Sequence, residues 1–252
     1  MLILACDTSN SACSACLYED GRVLAQSLLS LGRTHSLTFM PLVHDLMKCS
    51  GREYKELDAF ACTVGPGSFT GIRIGVSAVK AMAMVAQKPA VGVSSLAALA
   101  FPFFSHKKAL VAAMTDARNR RVFSAAYYEG REVISENART IDELMELCRT
   151  WEEASGVSGT DILLCGDVSG LYAKEGYFLQ RNAHAESLFG REVQPASVAT
   201  LAYVAIREEE SLMEKYPPQA LMPVYRAKTS AERMFPKAEN QTLPGEGDSS
   251  HG

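Results

Sequence analysis

The densest run of chemistry-bearing residues is Gly65-Pro66-Gly67-Ser68-Phe69-Thr70-Gly71-Ile72-Arg73-Ile74-Gly75. It follows the apolar stretch Ala59 to Val64 and opens a helical pattern. Its glycines permit a tight turn, and its backbone amides point outward where the helix starts. Gly65, Gly67 and Ser68 could therefore receive an anion; a glycine-rich turn used only for packing is the competing reading. The run is not a P-loop, because no Gly-Lys-Ser/Thr follows, and its glycine spacing is not that of a dinucleotide fingerprint. Near the N-terminus, Asp7-Thr8-Ser9 ends an apolar segment and offers a carboxylate and two hydroxyls. That set suits a hard cation with phosphates.

Metal and thiol chemistry find less support. The five histidines (His35, His44, His106, His184, His251) show no His-Glu-x-x-His and no short ligand spacing. His35 and His44 share one helical segment but stand nine residues apart, so each reads as a structural or interface histidine. Cys13-Ser14-Ala15-Cys16 is formally a Cys-x-x-Cys, yet no second pair accompanies it. It also lies in a strand pattern, where residues three apart face opposite sides. Seven cysteines, an odd number, argue against a disulfide framework and for buried thiols.

These residues need elements to hold them. In 252 residues, 47% hydrophobic and 21% charged, there is enough apolar material for one large domain or two small ones. A net charge of −4 argues against nucleic-acid binding by this chain alone, since phosphate contacts normally bring a Lys/Arg excess. Met1 to Asp7 reads as a strand and not as a leader, and Val76 to Val85 is too short to span a bilayer. A soluble cytoplasmic protein without membrane contact is expected.

The element pattern occurs twice. Leu2 to Asp7, Cys13 to Tyr18 and Val23 to Leu29 read as three strands; helix His35 to Ser50, strand Ala59 to Val64 and helix Thr70 to Gln87 follow. Ala109 to Thr115, Val122 to Tyr128 and the strand after Glu129-Gly130-Arg131 repeat the order. Helix Ile141 to Arg149, strand Ile162 to Cys165 and helix Val198 to Glu210 complete it. Asp7 precedes Gly21-Arg22 by the same distance as Asp116 precedes Gly130-Arg131, and Asp58/Cys62/Gly67 is echoed by Asp161/Cys165/Gly170. Two α/β lobes with a cleft between them are expected, residues 1–108 and 109–236 with Lys107-Lys108 near the boundary. A polar tail, 237–252, is expected to be disordered.

Two helices carry more apolar surface than their own sheet requires. In the first, Leu37, Met40 and Met47 line one side, and Phe39, Val43 and Leu46 the adjoining one. The helix near Thr70 has Gly71, Gly75 and Ala78 along a smooth side, which either admits a second helix or packs on its own lobe.

Gly65 to Gly75, with Asp7-Thr8-Ser9, His35-Ser36 and Pro223-Val224-Tyr225-Arg226, resembles the TsaB family, also called YeaZ. The resemblance covers Met1 to Ala100 well and the second half loosely. It implies an α/β actin-like ATPase (ASKHA) fold of two ribonuclease H-like lobes related by internal duplication. It also implies a non-catalytic subunit of the machinery that forms threonylcarbamoyladenosine beside the tRNA anticodon. The partners implied are a TsaD-like catalytic subunit, a TsaE-like ATPase and a second copy of the chain, with tRNA met only through the complex. The implied interface is His35, Leu37, Met40, Phe69, Gly71, Arg73, Gly75 and Ala78. The catalytic relative carries His-x-x-x-His after a Val-Gly-Val strand. Here those positions fall on Ser95 and Leu99, which cannot hold a metal. Asp116 is followed by Ala117-Arg118 where actin-like ATPases prefer glycine, and their Gly-Gly pair is reduced to Gly166-Asp167. The resemblance therefore implies no cofactor held by this chain alone, with ATP or ADP at a partner interface. An actin-like kinase and a metalloprotease are the rival readings.

Overall fold

The computed structural model describes residues 1–31, 34–157, 160–167, 183–185 and 192–226. Leu2-Ile3-Leu4-Ala5-Cys6-Asp7 is buried at every position. A strand apolar on both faces belongs at the centre of a covered sheet, and this one does. It forms β1 (Leu2–Asp7), flanked by antiparallel β2 (Cys13–Glu19) and parallel β4 (Ala59–Gly65). With β3 (Arg22–Leu29) and β5 (Ala90–Ser94) the order is β3-β2-β1-β4-β5.

The second sheet contains β6 (Ala109–Asp116), β7 (Val122–Tyr128), β8 (Arg131–Arg139), β9 (Asp161–Gly166) and β10 (Ala183–Ala185), in the order β10-β9-β6-β7-β8. Read from its other edge, this is the order of the first. The hairpin turns match as well. Asp20 and Gly21 have φ of 45° and 89°, and Glu129 and Gly130 have 48° and 76°. Two successive positive φ values are what a two-residue hairpin between twisted strands requires.

Helices α1 (His35–Ser50) and α2 (Phe69–Ala86) cover one face of the first sheet, burying Phe39, Val43, Ile72, Val76 and Val79 against Leu4, Cys6 and Phe60. Helix α4 (Ile141–Ser155) covers the second sheet and starts with a reciprocal capping box between Thr140 and Glu143. It runs past Arg149 because that residue pairs with Glu146 and Glu153 on the exposed side. By composition α2 is long and apolar enough to cross a membrane, but a third of it is buried inside the protein.

The remaining helices lie between the sheets. Helix α5 (Pro195–Ile206), from the second half of the sequence, packs on β1 and β2; α3 (Ser95–Ala100), from the first half, packs on β6. One apolar cluster therefore joins Ile3, Ala5 and Val91 to Val111, Ala113, Leu163, Leu96 and Val198. Helix α5 begins at Pro195, whose fixed φ suits a first helical position, and ends at Ile206, earlier than the sequence pattern indicated. Gly170 and the tail 237–252 lie outside the described residues.

After α6 (Leu212–Lys215) the chain returns to the first sheet. The Ala90 N–H donates to the Tyr216 carbonyl at 3.0 Å, Leu221 is buried, and the Val224 N–H donates to the Val64 carbonyl at 2.8 Å. Cys13 and Cys16 enter different apolar clusters, as strand geometry requires. Burial pushes the Cys16 thiol up to about 12, which leaves it un-ionised and unreactive.

The shared cluster predicts one cooperative urea transition for the whole described fold. Leu96→Ala, fully buried between the sheets, should lower stability by about 2–5 kcal/mol. Two separable transitions, only one of them moved by the substitution, would contradict this.

Candidate partner interface and cleft

Helix α2 is drawn close to the strand ends by missing side chains. A Cβ on Gly71 would strike the Thr8 carbonyl oxygen, one on Gly75 the Thr8 hydroxyl, and one on Gly67 the Ser9 carbonyl oxygen. Gly65, at φ 117°, leaves room for the Val224 carbonyl, 2.7 Å from where its Cβ would stand. Hydrogen bonds fix the approach: Ser68 N–H to the Ser9 carbonyl at 2.7 Å, and the Thr8 hydroxyl to the Gly71 carbonyl at 2.7 Å. Ser68 also caps α2, accepting the Gly71 N–H at 3.2 Å.

This geometry corrects the smooth-side expectation. Gly71 and Gly75 are buried against the chain's own β1–β2 turn, so their small size serves internal packing and not an incoming helix. Ala78 is half-buried against the same core. His35 is half-buried too, its Nε2 lying 2.7 Å from the Asn10 carbonyl. The anion expectation at Gly65, Gly67 and Ser68 is corrected on the same grounds. The Ser68 amide is spent on the Ser9 carbonyl, and Gly67 gives that carbonyl its close approach, which favours the packing reading of the turn.

Asp7 is enclosed. Its Oδ1 accepts from the Ser9 hydroxyl and the Thr63 hydroxyl, both at 2.6 Å, and from the Ser9 N–H at 3.1 Å. Burial raises its pKa above the usual carboxylate value, against the lowering effect of those bonds. Thr8 and Ser9 are buried with their hydroxyls given to Gly71 and Asp7, so of the side-chain oxygens of the three residues Asp7 Oδ2 alone is without a hydrogen bond among the described residues. The residues present do not fit the nucleotide site that the fold implies. Ser95 and Leu99 are buried inside α3, where a metal ligand would be no use to a substrate. Among the described residues no cluster of His, Cys, Asp or Glu is placed to hold a metal.

What faces outward is different in character. Leu37 is 71% exposed and Met40 43%, whereas Met47, expected beside them, turns into the core. On α2 the Arg73 guanidinium lies 3.8 Å from the Phe69 ring centroid and donates from Nε to the Tyr225 hydroxyl at 2.7 Å. The Phe69 and Tyr225 rings pack at a 34° tilt with centroids 5.0 Å apart. An exposed aromatic–guanidinium patch results, on the side of α2 away from its glycine contacts. Sequence reasoning assigned no role to Tyr225, because nothing local shows that a C-terminal tyrosine returns to α2. It likewise missed Lys80, which holds the returning segment through the Gln219 carbonyl at 2.7 Å.

Gly75→Ala should cost about 1–3 kcal/mol in a melting or denaturant experiment, because its methyl has nowhere to go; Leu37→Ser should change stability by no more than about 0.5 kcal/mol. For Asp7 the folded pKa lies above the unfolded one, so the folded state binds more protons between the two values. Stability conferred by Asp7 is therefore lost as pH rises through that interval. Asp7→Asn should remove this slope from the difference between variant and parent; parallel pH–stability curves would contradict the buried carboxylate.

A family profile described as TsaD, tRNA N6-adenosine threonylcarbamoyltransferase, matches residues 23–230. The TsaB protein of Bacillus subtilis is 30% identical over 223 residues, covering 84% of this chain and 97% of that protein. The Escherichia coli TsaB protein is 40% identical over 128 residues, so that match spans 50% of this chain and 55% of the relative. The structure of YeaZ from Pseudomonas aeruginosa superposes with a TM-score of 0.69 at 29% identity, over 89% of this chain and 99% of that one. Component A of the Acidaminococcus fermentans (R)-2-hydroxyglutaryl-CoA dehydratase superposes at 0.51 and 12% identity, over 82% of this chain and 100% of that one, which bears on the fold alone. These proteins share one fold with this chain. By profile the chain falls within the threonylcarbamoyltransferase family in its wide sense, and by a match over nearly a whole relative it belongs to the TsaB proteins of tRNA threonylcarbamoyladenosine biosynthesis.

Proposed function

We propose that this chain is the non-catalytic subunit of a complex that forms threonylcarbamoyladenosine next to the anticodon of tRNA. It pairs with a TsaD-type catalytic subunit, and a TsaE-type ATPase joins the pair. One observation carries the reading: Leu37, Met40, Phe69, Arg73 and Tyr225 are exposed apolar, aromatic and guanidinium groups on α1, α2 and the returning segment, while Asp7 is buried with Oδ1 bonded to Ser9 and Thr63. A surface rich in Arg, Tyr, Phe and Met is the composition of an interface centre.

The finer architecture belongs to the same proposal. Residues 1–108 and 109–236 are two ribonuclease H-like lobes descended from one duplicated unit; the matching strand orders and hairpin turns support this. The chain works in the cytoplasm and holds no nucleotide alone; ATP or ADP binds at the junction with the partner. A second copy can occupy the same surface, which makes a homodimer the competitor of the productive pair. An actin-like kinase would need Asp7 free for magnesium, and a metalloprotease would need ligands where Ser95 and Leu99 stand.

Co-purification with a TsaD homologue, followed by tRNA modification with and without this chain, tests the proposal. Leu37→Glu or Arg73→Glu should weaken pairing at least tenfold, about 1.4 kcal/mol, with an unchanged melting temperature. Undiminished pairing by a folded variant would rule the surface out. ATP turnover by the isolated chain would favour the kinase reading.

A further inference from the structure

The turn between β6 and β7 has a backbone that its residue types disfavour. Arg118, Asn119 and Arg120 have φ of 65°, 53° and 58° in succession. Asparagine tolerates left-handed backbone, but arginine, with its Cβ, is strained there. Hydrogen bonds hold the shape: Ala117 N–H to the Arg121 carbonyl and Arg121 N–H to the Arg118 carbonyl, both at 3.0 Å, and Arg118 N–H to the Asp116 carboxylate at 2.7 Å. Packing does not account for the strain, because residues 118–121 are all exposed.

Their charges are little used within the chain. The Arg118 guanidinium is 85% exposed and, among the described residues, pairs with Asp116 alone, at 3.6 Å. Arg120 forms no ion pair or hydrogen bond among the described residues. Arg121 is directed to the Ala138 carbonyl. Position matters as well. Val122, directly after the turn, is in register with Arg139 at the end of β8. Further along β8, Glu136 accepts from Ser94 at the end of β5 and pairs with Arg226 at 3.3 Å. Arg226, next to Tyr225, thus reaches β8, the strand that pairs with β7 directly after the arginine turn.

Exposed guanidinium groups held on a rigid turn fit phosphate oxygens, which they grip through paired N–H donors. On a chain of net charge −4, two such groups cannot hold a nucleic acid unaided, but they can add contacts to one already held. We propose that Arg118 and Arg120 bind backbone phosphates of the tRNA while the chain sits in its complex. The proposal rests on the reading of a tRNA-modifying complex given above.

The test is tRNA binding by the complete reconstituted complex over a range of salt concentrations, with parent chain, Arg118→Glu/Arg120→Glu, the milder Arg118→Gln/Arg120→Gln, and Lys107→Glu/Lys108→Glu as a charge-matched control at the opposite end of β6. Both arginine variants should weaken tRNA binding, the glutamate pair about tenfold or more at low salt. Each should lower the salt slope by about 1–2, at roughly 0.7–0.9 per lost phosphate contact. The lysine control should behave as parent, and assembly with the TsaD-type subunit should be intact. Equal slopes for parent and arginine variants would overturn the proposal while leaving the functional reading standing. So would an equal loss in the lysine control, or a loss of subunit assembly, which would make the turn a protein-docking site. A parent complex that binds no tRNA would overturn both.

Discussion

Where α2 meets the β1–β2 turn, three positions must lack a side chain. Gly67, Gly71 and Gly75 let backbone and hydroxyl oxygens of Thr8 and Ser9 come within contact distance of the helix. Interior helix glycines cost about 1 kcal/mol each relative to alanine, so the contact has to return more than that. It does so by burying Ile72, Val76 and Val79 on the sheet and by satisfying the Thr8 hydroxyl and the Ser9 carbonyl, which would otherwise be stranded.

That approach has two consequences that pull function in one direction. Inside, the end of β1 is buried with Asp7, whose Oδ1 takes its bonds from Ser9 and Thr63. Outside, it fixes the opposite side of α2 as a rigid platform on which Phe69, Arg73 and Tyr225 pack. A cleft closed by its own turn and a preorganised outer face together describe a chain that contributes surface. Preorganisation matters because ordering loose side chains on association would cost about 0.5–1.5 kcal/mol each. The exchange of α3 and α5 between the two sheets adds rigidity, since neither sheet covers its inner face with helices from its own half alone.

Much of this was legible in the sequence. The three opening strands are short, apolar and bounded by turn residues, and their repetition after Ala109 predicts the second sheet with the same strand order. Side-chain direction was less legible. Small residues on α2 look the same whether they face a partner or the chain's own Thr8, and only the tertiary approach separates the two. Asp7 ends a strand as catalytic carboxylates do, yet its burial depends on Thr63, fifty-six residues away. Met47 continues the stripe of Leu37 and Met40, but it is buried in the core of the first sheet. The left-handed run at Arg118 to Arg120 has no glycine to announce it. The return of Tyr225 to Phe69 spans most of the chain and leaves no local signal.

The most direct measurement of the central claim is amide hydrogen exchange on this chain with and without a bound TsaD-type subunit. Buried interfaces slow the opening of the elements that form them. Slower exchange should appear in α1 around Leu37 to Met40 and in the first turns of α2 from Phe69 to Ser77, while edge strand β3 is unchanged. A stable complex in which protection falls on β3 or the second sheet, with α1 and α2 exchanging as in the free chain, would contradict the account.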